Sequence, residues 1–165
     1  PVLRGLAGAE QVPGRMERIA ERPSVVLRDY AHTPDALERA LQSLRTVTPG
    51  RLIVVFGCGG ERDRGKRPVM GRIAASLADL AIVTSDNPRR EPPDLIIDEV
   101  EQGMGSTPHQ RFTDRRAAIA AALDTARERD TVLLAGKGHE TYQVIGTEKV
   151  PFDEASIVRE LLGHA

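Results

Sequence analysis

Short apolar runs alternate with longer amphipathic stretches along most of the chain. The apolar runs are rich in Val, Ile and Leu and lie at residues 25–27, 52–56, 80–84 and 131–135. Runs without polar alternation are typical of strands that are covered on both faces of a parallel sheet. Because a stretch with helical periodicity follows each of the first three runs, the pattern predicts βαβ units and an α/β fold with a mostly parallel sheet.

The stretches between the runs carry the start signals and the apolar spacing of helices. In the first of them, Thr33 is a candidate N-cap and Pro34 occupies the first helical position. Its apolar residues recur at i, i+3, i+4 and i+7, namely Leu37, Ala40, Leu41 and Leu44. Further helices are predicted from Pro68, after Pro93, from the cap Asp114 and around Val158. The pattern also predicts a short strand at Phe112 and a hairpin over residues 142–151.

The opening segment differs from the rest. Residues 1–14 contain three glycines and two prolines, begin with Pro1 and show no sustained period. These features are typical of a connector. We therefore expect residues 1–22 to be a linker at the end of a preceding domain, and residues 23–165 to form the domain itself.

Composition and charge exclude several classes of protein. The chain has 23 Lys and Arg against 24 Asp and Glu, and only 3% aromatic residues, so neither bulk charge nor stacking favours a nucleic-acid partner. No run approaches the ~20 apolar residues of a membrane-spanning helix, and no signal-peptide pattern opens the sequence. One cysteine, Cys58, excludes an internal disulfide. We expect a cytoplasmic protein with no membrane partner.

Polar loops follow four of the predicted strands, at residues 29–32, 57–67, 86–89 and 136–140. Each loop alone could be an ordinary turn. Together they bring six basic side chains (Arg62, Arg64, Lys66, Arg67, Arg89 and Lys137) to the sheet edge that carries Asp29, Asp86 and Glu140. Since ligands of open α/β sheets bind beyond the carboxyl ends of the strands, this mixture predicts a zwitterionic or phosphorylated ligand.

Two nucleotide-binding signatures are missing. No Gly-x-Gly-x-x-Gly turn follows the first strand, which disfavours a dinucleotide cofactor. The segment from Gly60 to Lys66 is similar to a phosphate loop, but Arg67 stands where that loop needs a hydroxyl for Mg²⁺. We therefore expect that the chain cannot process a nucleoside triphosphate alone.

Five segments together resemble the C-terminal domain of the Mur ligases, and among these the members that add meso-diaminopimelate. They cover almost the whole chain in the family's order: residues 12–17 (VPGRME), 29–37 (DYAHTPDAL), 56–68 (FGCGGERDRGKRP), 86–89 (DNPR) and 136–140 (GKGHE). The resemblance implies a Rossmann-like three-layer domain with a mostly parallel sheet of about six strands.

The resemblance also implies an activity in peptidoglycan synthesis. Mur ligases use ATP to phosphorylate a carboxylate of a UDP-MurNAc substrate, here UDP-MurNAc-L-Ala-D-Glu, and the amine of the incoming amino acid then displaces phosphate. An N-terminal and a central domain, absent from this chain, would hold the UDP-sugar, the phosphate loop and the Mg²⁺ ligands. The implied cofactors are ATP and Mg²⁺, no metal ligand or catalytic residue is expected here, and the chain alone is expected to be inactive.

Residue roles follow from the same resemblance. Arg15, Asp29 and His32 match positions that contact ATP. The positions that line the diaminopimelate site are matched by Arg62, Asp86, Asn87, Arg89, Gly136 and Glu140. Arg89 favours diaminopimelate, because lysine-adding relatives carry a small residue there and lysine has no distal carboxylate. Cys58, His109 and His164 are interpreted as structural or solvent-facing, while Lys137 and His139 are interpreted as shaping the glycine loop.

Two alternatives remain at the level of the sequence. One is another amide ligase of the same superfamily, either a different Mur ligase or a folylpolyglutamate synthase, against which residues 86–89 argue. The other is a free-standing module that binds an amino acid or a nucleotide without catalysis. An upstream Gly-x-x-Gly-Lys-Thr/Ser loop would favour the ligase.

Overall fold

Eight strands and five helices lie within residues 12–163, the part of the chain that the computed structural model describes. The strands are β1 (Glu17–Ala20), β2 (Val25–Asp29), β3 (Leu52–Phe56), β4 (Leu80–Thr84), β5 (Gln110–Phe112), β6 (Thr131–Ala135), β7 (Tyr142–Ile145) and β8 (Glu148–Pro151). The helices are α1 (Pro34–Arg45), α2 (Lys66–Leu77), α3 (Pro93–Glu101), α4 (Arg115–Thr125) and α5 (Glu154–Leu161). No helix among them is long and apolar enough to span a bilayer.

Six strands form one sheet in the order β1-β2-β6-β3-β4-β5, and β7 and β8 form a separate antiparallel hairpin. All neighbours in the six-stranded sheet are parallel except β1 and β2. The predictions of a mostly parallel sheet of about six strands and of a hairpin are therefore confirmed. Since β2, β6, β3 and β4 run in parallel, their carboxyl ends meet at one edge.

The apolar side chains of the central strands divide between two buried layers. Val54 and Phe56 of β3 face the layer covered by α1, α2 and α3, whereas Ile53 and Val55 face the layer covered by α4 and α5. All four are fully buried. A strand with a helix layer on each face has no polar side, and this explains the unbroken apolar runs in the sequence.

Capping explains where the helices begin. Thr33 Oγ1 accepts a hydrogen bond from Ala36 N (3.3 Å), and the side chain of Asp114 accepts one from Arg116 N (3.0 Å). Both predicted caps are confirmed. Helix α2 begins at Lys66, two residues before the predicted Pro68. The first turn of a helix has N–H groups without an intrahelical partner, so a proline is tolerated there.

Strand β1 was not predicted. It lies within residues 1–22, the expected linker, where the sequence Glu-Arg-Ile-Ala shows no alternation. It pairs with β2, and Arg28 Nε of β2 donates to Glu17 Oε2 of β1 (2.6 Å). The sheet therefore begins at Glu17, inside the predicted linker. The first eleven residues and His164 lie outside the described residues.

Candidate functional site

The loops after β2, β3, β4 and β6 surround one cavity of about 690 Å³. It is lined by all six side chains and backbone positions predicted for the amino acid: Arg62, Asp86, Asn87, Arg89, Gly136 and Glu140. His32 also lines the cavity, whereas Arg15 and Asp29 do not. The sequence-based prediction that these loops share one edge is confirmed.

Two guanidinium groups lie on the basic side of the cavity. Arg89 is half-buried, and its Nη1 donates to Gly60 O (2.8 Å). Arg62 is exposed, and its Nη1 donates to Glu61 O (3.1 Å). Each guanidinium has five N–H donors, so both keep donors for a carboxylate in the cavity.

A fully buried lysine connects the acidic side chains that line the cavity. Lys137 Nζ donates to Asn87 Oδ1 (3.1 Å) and Asp86 Oδ1 (3.3 Å), and it lies 3.5 Å from Glu140 Oε2. Lys137 was predicted only to shape the glycine loop. The signal that could have revealed its position is its spacing of three residues from Glu140 within a tight turn, where Glu140 N donates to Lys137 O (3.0 Å).

Hairpin β7–β8 fixes the loop at residues 86–89. Gln143 Nε2 donates to Asp86 O (2.7 Å), and Val144 N donates to Asn87 Oδ1 (3.0 Å). Arg89 is held by backbone bonds on both sides, from its N to Val144 O (3.0 Å) and from Gly146 N to its O (2.7 Å). This clamp keeps Arg89 at φ +53°, a conformation that is uncommon for a non-glycine residue.

A buried ion pair supports two of the loops from below. Arg115 and Glu154 have no exposed side-chain surface, and Arg115 Nε donates to Glu154 Oε1 (2.8 Å). Arg115 Nη1 donates to Ser85 O (3.3 Å) and Nη2 to Ala135 O (3.0 Å). One guanidinium therefore ties together the chain positions directly before the 86–89 and 136–140 loops.

Glycines are required where the loops approach each other. Gly136 has φ +116°, a region that side chains rarely adopt. Gly60 N donates to Asn87 O (2.9 Å), and a Cβ at Gly60 would lie 1.9 Å from Pro88 O. Gly60 therefore allows close contact between the loops after β3 and β4, and Gly136 allows the backbone conformation at the end of β6.

Two arginines counted toward the ligand charge do not line the cavity. Arg67 is fully buried and donates to Glu91 and Glu99 (2.9–3.0 Å), and Arg64 pairs with Glu99 on the surface. This part of the prediction is wrong, because carboxylates of the 90–99 segment neutralise both. Hydrogen bonds from Arg67 and from the backbone N–H of Glu61 lower the pKa of Glu91 to about 2.

The three residues predicted for ATP cluster around Tyr30, beside the cavity. Asp29 Oδ1 accepts from Ala31 N (2.9 Å) and Oδ2 from Met16 N (2.8 Å). The guanidinium of exposed Arg15 lies over the Tyr30 ring (5.6 Å), and His32 Nδ1 lies 2.7 Å from Tyr30 O. Asp29 therefore joins the segment before β1 to the end of β2.

Two reactive side chains outside the cavity, Cys58 and His109, contact neighbouring side chains of the fold. Cys58 is buried beside Met70, and burial raises the pKa of its thiol to about 12. His109 Nε2 lies 2.9 Å from Glu101 Oε1. Within residues 12–163, no three His, Cys, Asp or Glu side chains are grouped to hold a metal ion.

Comparisons with known proteins agree with this geometry. Residues 14–138 match the family described as Mur ligase, glutamate ligase domain. The chain is 56% identical over 165 residues to a UDP-N-acetylmuramoyl-L-alanyl-D-glutamate–2,6-diaminopimelate ligase of Synechocystis sp., covering 98% of this chain and 33% of the relative. It is 56% identical over 156 residues to the protein of the same name from Chlorobaculum tepidum, covering 92% and 31%.

Solved structures give the same result. A structure of a UDP-N-acetylmuramoyl-L-alanyl-D-glutamate–2,6-diaminopimelate ligase aligns with a TM-score of 0.86 and 39% identity, over 98% of this chain and 36% of that one. A folylpolyglutamate synthase/dihydrofolate synthase from Yersinia pestis aligns with a TM-score of 0.63 over 79% of this chain and 30% of that one, and at 22% identity this likeness concerns the fold alone. The chain spans about a third of the length of the curated relatives it matches.

Proposed function

The chain belongs to the Mur ligase family through its glutamate ligase domain, and on this premise we propose that it is the amino-acid-binding domain of an ATP-dependent amide ligase. The amino acid is meso-diaminopimelate and the acceptor is UDP-MurNAc-L-Ala-D-Glu, a precursor of peptidoglycan. In this proposal residues 23–165 are the domain and residues 1–22 connect it to upstream domains, with β1 belonging to both the connection and the sheet.

The cavity at the strand ends carries this proposal, because its charges complement the ligand. Diaminopimelate has a carboxylate and an amine at each end. Arg62 and Arg89 offer guanidinium donors, which pair with carboxylates in fork geometry. Glu140 and Asp86 offer carboxylate oxygens for an ammonium on the opposite side.

Each lining residue has a definite role in the proposal. Arg89 and Arg62 bind the carboxylates, while Glu140 and the carbonyl oxygen of Gly136 accept from the distal ammonium. Asn87 already donates through Nδ2 to Glu140 Oε2 (3.2 Å), so it orients that carboxylate in addition to facing the cavity. The amine at the other end of the ligand has no carboxylate of this chain assigned to it in the proposal. It can therefore lose its proton and act as the nucleophile.

The side around Tyr30 is proposed to close over ATP. Arg15 is exposed and can bridge phosphate oxygens, and Asp29 can accept from ribose hydroxyls once Met16 N releases its Oδ2. His32 lies between this side and the cavity. Transfer of the ATP γ-phosphoryl group to the D-Glu carboxylate gives an acyl phosphate. The amine attacks its carbonyl carbon, loses a proton and expels phosphate.

Mg²⁺ is proposed to be held upstream of this chain. Within residues 12–163, no group of three His, Cys, Asp or Glu side chains offers Mg²⁺ a site made by this chain alone. None of the roles proposed for this chain's residues involves Mg²⁺.

The proposal is tested by calorimetric titration of the chain with meso-diaminopimelate and with L-lysine. Lysine shares the distal ammonium but lacks the distal carboxylate. We expect diaminopimelate to bind at least ~10-fold more tightly, because lysine would leave one guanidinium unpaired. Equal affinity for the two ligands, or no binding of diaminopimelate, would contradict the proposal.

A further inference from the structure

Lys137 is a buried charge that none of the roles above uses. Its side chain has no exposed surface, and its ammonium has three N–H donors. Three oxygens surround it, from Asn87 (3.1 Å), Asp86 (3.3 Å) and Glu140 (3.5 Å). All three belong to side chains that line the cavity. A buried ammonium is costly unless it is paired in this way.

The pairing uses only one oxygen of each carboxylate. Lys137 lies beside Oδ1 of Asp86 and Oε2 of Glu140. Among residues 12–163, the side-chain hydrogen bonds of the two carboxylates use Asp86 Oδ1 and Glu140 Oε2, so Asp86 Oδ2 and Glu140 Oε1 remain for a ligand. Two carboxylates and one ammonium carry a net charge of −1, so the group is matched to a single additional ammonium.

We propose that Lys137 is a specificity-determining positioning residue, which holds Asp86 and Glu140 so that their second oxygens form a site for one ammonium of the amino acid. This inference rests on the proposed function and deepens it. Lys137 does not touch the ligand in this proposal. It acts by fixing the place and the net charge of the side chains that do.

Removal of the lysine charge would separate the two carboxylates that form the ammonium site. In Lys137→Met, Asp86 and Glu140 would face each other without a counter-charge. Glu140 lies on a half-buried loop position, so its side chain can turn toward water to relieve the repulsion. Asp86 is held through its own backbone by Gln143 and stays in place. The distal ammonium would then lose its main acceptor.

The test compares two ligands that differ by one amine. The chain is titrated calorimetrically with meso-diaminopimelate and with 2-aminopimelate, in which hydrogen replaces one amine. We expect the wild type to prefer diaminopimelate by at least ~10-fold, and Lys137→Met to reduce this preference below ~3-fold through weaker binding of diaminopimelate. Lys149→Met is the matched control, since Lys149 is exposed on β8 and does not line the cavity; it should keep the wild-type preference.

Other outcomes would overturn the inference. If Lys137→Met retains the preference for diaminopimelate, or if it weakens the binding of both ligands equally, Lys137 has only a structural role. Lys137→Gln keeps N–H donors without the charge, so it should give an intermediate preference, and it replaces the methionine variant if that variant does not fold. If the wild type binds neither ligand, the proposed function itself fails, a result distinct from a wild type that discriminates and a variant that does so equally well.

Discussion

At the scale of single residues, Arg89 shows how the loop prepares a side chain for a ligand. Its backbone is held by Val144 and Gly146, and its Nη1 is occupied by Gly60 O. The remaining N–H groups of the guanidinium, on Nε and Nη2, form the fork that suits a carboxylate. The cost of ordering this side chain is thus largely met before a ligand arrives.

Arg89→Ala should therefore weaken the binding of diaminopimelate strongly. Loss of two charge-assisted hydrogen bonds of ~1.5–3 kcal/mol each corresponds to about 10²- to 10⁴-fold. Arg89→Lys should restore only part of this, because an ammonium cannot reproduce a planar fork. Lysine as ligand should be less affected, so the ratio of the two affinities should collapse in a calorimetric titration.

Arg90 provides the control for this prediction. It is exposed, adjacent to Arg89 and does not line the cavity. Arg90→Ala should keep the wild-type ratio. An unchanged ratio in Arg89→Ala would mean that Arg89 is only a loop charge.

The residues that line the cavity can be predicted from the sequence better than the buried residues beneath it. The four loops could be predicted to converge, because parallel strands share one edge. The positions of Lys137, Arg67 and Arg115 could not be predicted, since burial of a charge depends on partners distant in sequence. Arg115, for example, meets Ser85, Ala135 and Glu154, which only the folded sheet brings together.

At the scale of elements, periodicity and caps were sufficient for all five helices and for seven of the eight strands. Strand β1 escaped because its four residues are all half-buried, so neither face is marked by apolar side chains. Its place is set by pairing with β2 and by the ion pair between Glu17 and Arg28. The partner strand is close in sequence, but pairing with it leaves no pattern in the four residues of β1 themselves.

The loop between β3 and α2 is anchored to the segment before α3 by Glu91. This carboxylate accepts from Arg67 (2.9 and 3.0 Å) and from Glu61 N (2.6 Å), and these bonds hold its pKa at about 2, below the usual 4.5. Because the pKa of Glu91 is lower in the folded state, the ionised carboxylate stabilises the fold at any pH above the pKa of the unfolded state. This contribution is lost as the pH falls from 4.5 toward 2.

Chemical unfolding of the wild type and of Glu91→Gln should reveal this dependence. The wild type should be more stable by a constant amount between about pH 7 and pH 5. The difference should shrink between about pH 4.5 and pH 2, where the unfolded state takes up the proton and the folded state does not. Exposed Glu148 on β8 offers the control, and Glu148→Gln should stay within ~0.5 kcal/mol of the wild type throughout. A stability difference that does not vary with pH would contradict the proposed anchor.

At the scale of the whole molecule, the described residues form the sheet and the helix layer on each of its faces, which together make a three-layer domain. The layer beneath α1 to α3 and the layer beneath α4 and α5 are each built from fully buried apolar side chains. The helices whose side chains pack in these two layers all lie within residues 12–163. We expect this arrangement to be sufficient for the isolated chain to fold, and we expect the phosphoryl chemistry of the proposed ligase to require further domains.

The isolated chain should therefore unfold in one cooperative thermal transition and yet catalyse nothing. With ATP, Mg²⁺, meso-diaminopimelate and UDP-MurNAc-L-Ala-D-Glu present, we expect no phosphate release above the rate without protein. The physical reason is that residues 12–163 contain no group of three metal-binding side chains, and that Arg67, after the loop that follows β3, stands where a phosphate loop needs a hydroxyl. A full-length diaminopimelate-adding relative, assayed alongside, controls for the substrates. Steady phosphate release by the purified chain would contradict the proposal that phosphoryl transfer requires other domains.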